Sequence, residues 1–330
     1  MQYIITSLCL GFLLIASGCS TDSEDCPPGA VEYPNQQELI DGRAYKQSSV
    51  DCRTPKVQTF RFNNFTGAEI KAAQNTVILI RQEAFTRLDG TTIDGEITLS
   101  ILEMYRPGEI IACQLSTNGI NDANSVEPLL SESIFYLNAE YNDEPVLLKG
   151  EIQIFIPSEN KGLQLSVFNS PDCTELDCQV LWEIIPQSTV FEEPYQGAIG
   201  DVILGYRSFI TELGWYSFAR YNPNRKEPGI LYNKALPQYS LSNSNVFLMY
   251  DSNSVAIGMF SEFDTANEVF SEKYSEIPKN TPANVIFVSK PKNEFSFDSS
   301  PIITEDGKIT VTRNPQNGSE SNLIDYINNL

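Results

Sequence analysis

The chain has 330 residues, 41% of them hydrophobic and 20% charged, which is enough apolar material for folded bodies that need no metal or dense disulfide stapling. Twenty-two basic residues against 43 acidic ones give a formal charge of −21, so the cationic face that nucleic acid requires is not expected. Histidine is absent, which excludes Ser/His/Asp and Cys/His nucleophile systems, histidine-ligated metals and imidazole acid–base steps.

Residues 1–18 carry no charge, and Leu8 to Ala16 is mostly apolar before Ser17, Gly18 and Cys19. The run is too short for a membrane span and reads as the apolar core and cleavage site of a secretory signal. Ala16-Ser17-Gly18-Cys19 resembles the lipobox of bacterial lipoproteins. The resemblance implies that Cys19 is acylated, becomes the new N-terminus and holds the chain to membrane lipid. Each buried methylene contributes about 0.8 kcal/mol, so two or three acyl chains hold far more firmly than one. The stretch Ser20-Thr21-Asp22-Ser23-Glu24-Asp25 resembles the acidic export signal of Bacteroidota lipoproteins, which implies the outer face of the outer membrane. Residues 19–56, with Pro27-Pro28-Gly29 and Pro34-Asn35, read as an acidic tether. As a flexible chain, some 30 such residues would span roughly 30 Å root-mean-square.

Cys9 leaves with the signal and Cys19 takes lipid, so Cys26, Cys52, Cys113, Cys173 and Cys178 remain. In an oxidising envelope compartment the expected pairs are Cys26 with Cys52 and Cys173 with Cys178. Cys113, in Ile110-Ile111-Ala112-Cys113, is then expected to be a buried, unpaired small hydrophobe. The spacings match no zinc template, and no cofactor is implied.

From residue 57 onward the chain reads as all-β. Val57–Phe62, Thr76–Gln82, Glu96–Tyr105 and Glu151–Ile156 are rich in β-branched and aromatic residues and lie between turn signals. Ile152, Ile154 and Ile156 alternate onto one face, and Leu163 to Val167 alternates likewise. Asp89-Gly90, Asp94-Gly95, Asn118-Gly119 and Asp306-Gly307 predict tight turns, the last joining Ile302–Thr304 to Ile309–Val311 as a hairpin. One helix is predicted, capped by Ser319 or Ser321, with Leu323, Ile324, Ile327 and Leu330 on one side. Pro186 to Gly200 interrupts the apolar pattern, so two β-sandwich-like domains are predicted, 57–190 and 195–330.

The run from Thr76 to Phe85, then Asp89-Gly90 and Gly95 to Ile101, resembles the core hairpin of ZU5-like β-sandwich domains in Bacteroidota surface lipoproteins. Leu213-Gly214-Trp215, Ile277 to Val285 and Ile303 to Gly307 resemble elements of those proteins' second domain. The resemblance implies fold and surface location and carries no catalytic residue.

Few residues suggest chemistry. Ser158-Glu159-Asn160-Lys161 has Ser/Lys-dyad spacing, but it follows a strand-ending Pro157 and precedes Gly162, so a turn is expected. Asp89, Asp94 and Glu96 could offer oxygen ligands to Ca²⁺, although the spacing is not that of an EF-hand and hairpin turns explain them better. Trp215, Tyr216, Phe218, Arg220 and Tyr221 form either a stacking platform for sugar rings or a partner, or a strand buried in the core; burial is the expected outcome. Asp264-Thr265-Ala266 resembles the O-glycosylation acceptor of Bacteroidota envelope proteins, with Thr265 as the modified residue. The function expected is that of a lipid-anchored, non-catalytic binding or assembly module with a protein partner at the outer membrane. The alternatives are glycan binding through the Trp215 run, and a carboxylate-dependent hydrolase, which needs two acids converging in a deep pocket.

Overall fold

A helix begins the described structure where a tether was expected. The computed structural model describes residues 41–330 except 198–201, 224–225, 251, 273–275 and 279, so Cys19 and Cys26 lie outside the described residues. Helix α1 (Arg43–Arg53) buries Tyr45, Ser48, Ser49, Cys52 and Arg53, a stripe at helical spacing. The expected 19–56 tether is therefore folded over its last part, where Cys52 is bonded to Cys113 rather than to Cys26. Cys113 is buried as expected, but it is not free.

The principal strands of the first part are β1 (Gln58–Asn63), β2 (Ala68–Lys71), β3 (Val77–Ile80), β4 (Glu96–Met104), β5 (Leu130–Tyr141), β6 (Ile152–Pro157), β7 (Ser166–Asn169), β8 (Phe191–Gln196), β9 (Val202–Ile210) and β10 (Gly214–Arg220). The second part contributes β11 (Tyr232–Lys234), β12 (Ser244–Tyr250), β13 (Ile257–Met259), β14 (Val269–Ser271), β15 (Pro282–Ser289), β16 (Phe295–Ile303), β17 (Ile309–Val311) and β18 (Gln316–Gly318). Helix α2 (Pro107–Ala112) follows β4, and α3 (Glu320–Asn328) ends the chain with Ser319 as its cap, in a reciprocal pair with Asn322.

Four sheets stack as layers. The outermost is a five-stranded sheet ordered β8-β9-β6-β3-β2. Against it lies a seven-stranded sheet, β1-β4-β5-β10-β7 continued by Glu183–Ile184, with Glu144–Pro145 folded back on β5. Next comes β13-β12-β15-β16-β18, then a sheet of Glu262–Asp264 with β14, β11 and β17. Alternate residues of one strand serve different layers. On β5, Phe135, Leu137 and Ala139 enter the core with the outer sheet, while Ile134 and Tyr136 enter the core shared with Phe247, Ile286, Val288 and the helices. On β12 and β15, Val246, Leu248, Val285 and Phe287 face the last layer. The central sheets are therefore covered on both faces, which is why their strands read as continuous apolar runs.

The boundary expected near residues 190–195 does not coincide with a change of sheet. Strands β8 and β9 pair with each other and β9 with β6, and β10 pairs with β5 and β7, so the chain leaves the first two sheets only after Arg220. The described residues belong to one compact unit, joined by the core that β5, β10, β12 and β15 share. Two turns also depart from expectation. Asn118-Gly119 lies in the strand Asn118–Ile120, and β16 and β17 do not pair across Asp306-Gly307. Gly307 does adopt a positive φ of 71°, but β17 runs parallel to β11 in another layer.

Candidate binding face

The aromatic run is interior, as expected of a core strand, and not the alternative stacking platform. Trp215, Tyr216 and Phe218 are 1%, 2% and 0% exposed, because β10 is a central strand with a core on each side. Tyr216 and Phe218 pack on Phe135, and Trp215 packs on Tyr136. Arg220 and Tyr221 are half-buried at the strand's end, where the Tyr221 hydroxyl donates to the Ile120 carbonyl (3.1 Å). None of the three buried rings can meet a sugar face.

Of the three, Trp215 helps to fix a disulfide loop, together with Tyr136. Cys173 and Cys178 are bonded as expected, and the loop's carbonyls point inward. Tyr136 donates to the Thr174 carbonyl, Trp215 Nε1 to that of Glu175, and Arg53 Nη1 to those of Leu176 and Cys178 at 2.8 Å each. Arg53 is fully buried and also donates to the Cys113 carbonyl, with its guanidinium 5.6 Å from the Trp215 ring centroid. Burial pushes its pKa down to about 10, opposed by Asp177, so it is a cation at neutral pH and carbonyl oxygens surround it. One guanidinium thus ties α1, the Cys52–Cys113 bridge and the Cys173–Cys178 loop together.

Ser158 and Lys161 form no dyad. Ser158 Oγ donates to Glu132 (2.7 Å), which also accepts from Ser254 Oγ (2.6 Å) and Asn160 Nδ2 (3.0 and 3.2 Å). Ser254 lies on the loop after β12, so Glu132 acts as a polar rivet between the two parts of the chain. Asp89 accepts from Thr91 N and Oγ1 within its own turn, and Glu96 faces Arg61 at 3.7 Å. Asp94 is exposed nearby, but among the described residues no three acidic or cysteine side chains gather as a metal cluster. Thr265 is exposed on the turn between Glu262–Asp264 and β14, and Asp264 accepts from Ala266 N and from the Asn267 side chain.

The outward side of the five-stranded sheet is different in kind. Ile70, Ile78, Ile154, Tyr206 and Ile210 point into the sandwich, so the alternate residues of these strands point out. Arg207 stacks between Phe191 and Phe209, 5.4 and 5.5 Å from their ring centroids. Its Nη2 donates to Glu193 (2.9 Å), and the Gln153 side-chain oxygen, turned toward the guanidinium, accepts from Nε (2.9 Å) and Nη1 (2.7 Å). Arg81 pairs with Glu151 at 3.3 Å. A groove of about 310 Å³ runs beside this stack, lined by Glu69, Leu79, Arg81, Glu151, Gln153 and Phe209 among others.

The face is also concave along one diagonal. The Tyr195 ring crosses to Phe155, 5.5 Å between centroids, and its hydroxyl donates to Glu69. Tyr195 and Glu69 sit on opposite edge strands, β8 and β2. Four strand spacings of about 4.8 Å would separate those edges by about 19 Å in a flat sheet, beyond the combined reach of the two side chains. Twist makes a sheet saddle-shaped, which lets opposite corners approach on one side as these side chains do. Gly205 lies beneath the crossing. A Cβ there would sit 2.0 Å from the Ile156 carbonyl oxygen and 2.7 Å from Phe155 Cζ, so only glycine lets β9 and the Phe155 ring approach this closely.

Sequence reasoning missed this face. Its signal was present in Gly205 to Ile210, where Tyr206, Ser208 and Ile210 alternate with Arg207 and Phe209, leaving an aromatic and a cation on the side opposite the core. A larger cleft, about 860 Å³, opens between the end of α3 and the ends of β12, β15 and β16; Tyr105, Asn284, Ile303 and Lys308 are among its lining residues. No protein-family profile matches the sequence, and no curated protein sequence is significantly similar to it.

Proposed function

We propose that this chain is an exported, lipid-anchored envelope protein, held through acylated Cys19, that works as a non-catalytic binding or assembly module. The resemblances to a lipobox, to the acidic export stretch and to ZU5-like surface lipoproteins support the anchor and the outer-membrane location. The observation that carries the binding role is the outer face of the five-stranded sheet, on which no further sheet packs among the described residues. There Phe191, Arg207, Phe209 and Gln153 are locked into one stack while the inward side of the same strands is buried. Rigid aromatics beside oriented polar groups are what recognition surfaces use, since little side-chain freedom is lost on binding. The lock around Arg53 suits a tethered protein, because load arriving from the Cys19 side passes through α1 into the Cys52–Cys113 bridge.

The test is the intact mass of the mature protein, made as the full chain in a Gram-negative host, together with membrane fractionation of wild type and Cys19→Ala. The proposal expects a diacylated or triacylated mass beginning at Cys19, detergent-phase partitioning, and release of the variant from membranes. An unacylated N-terminus, or a wild type recovered in the aqueous phase, contradicts it.

A further inference from the structure

We infer that the groove on the outer five-stranded sheet binds a neutral oligosaccharide. The inference deepens the binding role proposed above and names the ligand class for that face.

Charge decides first. The chain as a whole carries −21, yet among the described residues this face holds Lys71, Arg81 and Arg207 against Glu69, Glu151 and Glu193, three of each sign. A locally neutral patch on a strongly acidic protein complements an uncharged ligand, whereas a polyanion is repelled by the surroundings and a polycation would find more favourable ground elsewhere. Shape decides next. The groove of about 310 Å³ is at the small end of ligand sites, and it lies on a face that is concave between Tyr195 and Glu69. An extended chain of sugar rings can lie along such a face without an end pocket.

Chemistry then selects sugars over an apolar peptide. Phe209 gives an aromatic surface of the kind against which the C–H face of a pyranose packs. Around it are two carboxylates, Glu69 and Glu151, and the Arg81 guanidinium, groups that match vicinal hydroxyls. Gln153 spends its oxygen on Arg207, which turns its amide NH₂ away from the guanidinium as a donor. These polar groups are already held in ion pairs and stacks, so binding requires little further ordering.

The experiment is affinity electrophoresis of the full chain in detergent through gels containing soluble neutral polysaccharides, namely glucans, mannans, xylans and galactans, with a charged alginate gel alongside. Phe209→Ala and Gln153→Ala are compared with wild type, and Leu88→Ala, an exposed apolar site away from the groove, serves as control. Circular dichroism melts confirm that each variant is folded. Retardation by at least one neutral polysaccharide, weakened at least tenfold by Phe209→Ala and severalfold by Gln153→Ala but unchanged by Leu88→Ala, supports the inference. Migration unaltered in every neutral gel, retardation confined to alginate, retention of binding in Phe209→Ala, or a protein partner that protects this face instead, overturns it. Loss of sugar binding with an acylated Cys19 leaves the anchor standing, and sugar binding by an unacylated protein does the reverse, so the two failures are separable.

Discussion

Two sets of aromatic residues in this molecule look alike in composition and differ in fate. Trp215, Tyr216 and Phe218 sit on a strand with a sheet packed on either side, and all three are buried. Phe191, Tyr195 and Phe209 sit on strands with one covered side, and they reach solvent around an arginine. What separates them is the number of layers that cover the strand, which is a property of the stack and not of the segment. In the first set each ring is fixed by its neighbours' cores. In the second, the guanidinium of Arg207 holds Phe191 and Phe209, while Tyr195 rests on Phe155 and bonds Glu69.

Mutations can break or sharpen that contrast. The largest effect is expected for Trp215→Ala, which removes a buried ring, its bond to the Glu175 carbonyl and the surface under Arg53. A loss of about 3–5 kcal/mol is expected by denaturant unfolding. Replacing Cys52 and Cys113 by serine releases a 61-residue separation, and the chain-entropy relation gives a loss of about 4 kcal/mol, checked by unfolding of the double variant against wild type without reductant. Gly205→Ala forces a methyl group against backbone and Phe155, with an expected cost of about 1–3 kcal/mol and loss of the Tyr195 crossing, checked by unfolding and by tyrosine hydrogen-exchange protection. Phe209→Ala, on the open side, should change stability by about 1 kcal/mol or less. If the two aromatic sets cost the same when truncated, the contrast is gone.

Much of the first layer was legible in the sequence because its strands obey simple alternation. Ile152, Ile154 and Ile156 fall on one face and are all buried, as their spacing predicts. Helix α3 was legible through its cap and apolar spacing, although Leu330 lies past its end and is 46% exposed. Helix α1 was not, since the stripe it buries contains Ser48, Ser49, Cys52 and Arg53, and burial there depends on a disulfide and on carbonyls supplied by distant loops. The Cys52–Cys113 bond was hidden for the same reason, as proximity in sequence pointed to Cys26. Nor could β17 be placed. Its turn chemistry is that of a hairpin, yet the chain crosses to another layer and runs parallel to β11. The candidate face escaped because it draws on strands β2, β3, β6, β8 and β9, and no segment contains more than two or three of its side chains.

The most direct test is hydroxyl-radical footprinting of the native protein read by mass spectrometry, because one experiment reports both aromatic sets. Strong modification of Phe191, Tyr195 and Phe209 is expected, together with protection of Trp215, Tyr216 and Phe218 until the protein is unfolded. Native-state labelling of Trp215 at the level of Phe191, or protection of the outer rings in the isolated protein, would contradict the assignment of the exposed sheet face as the one that meets ligands.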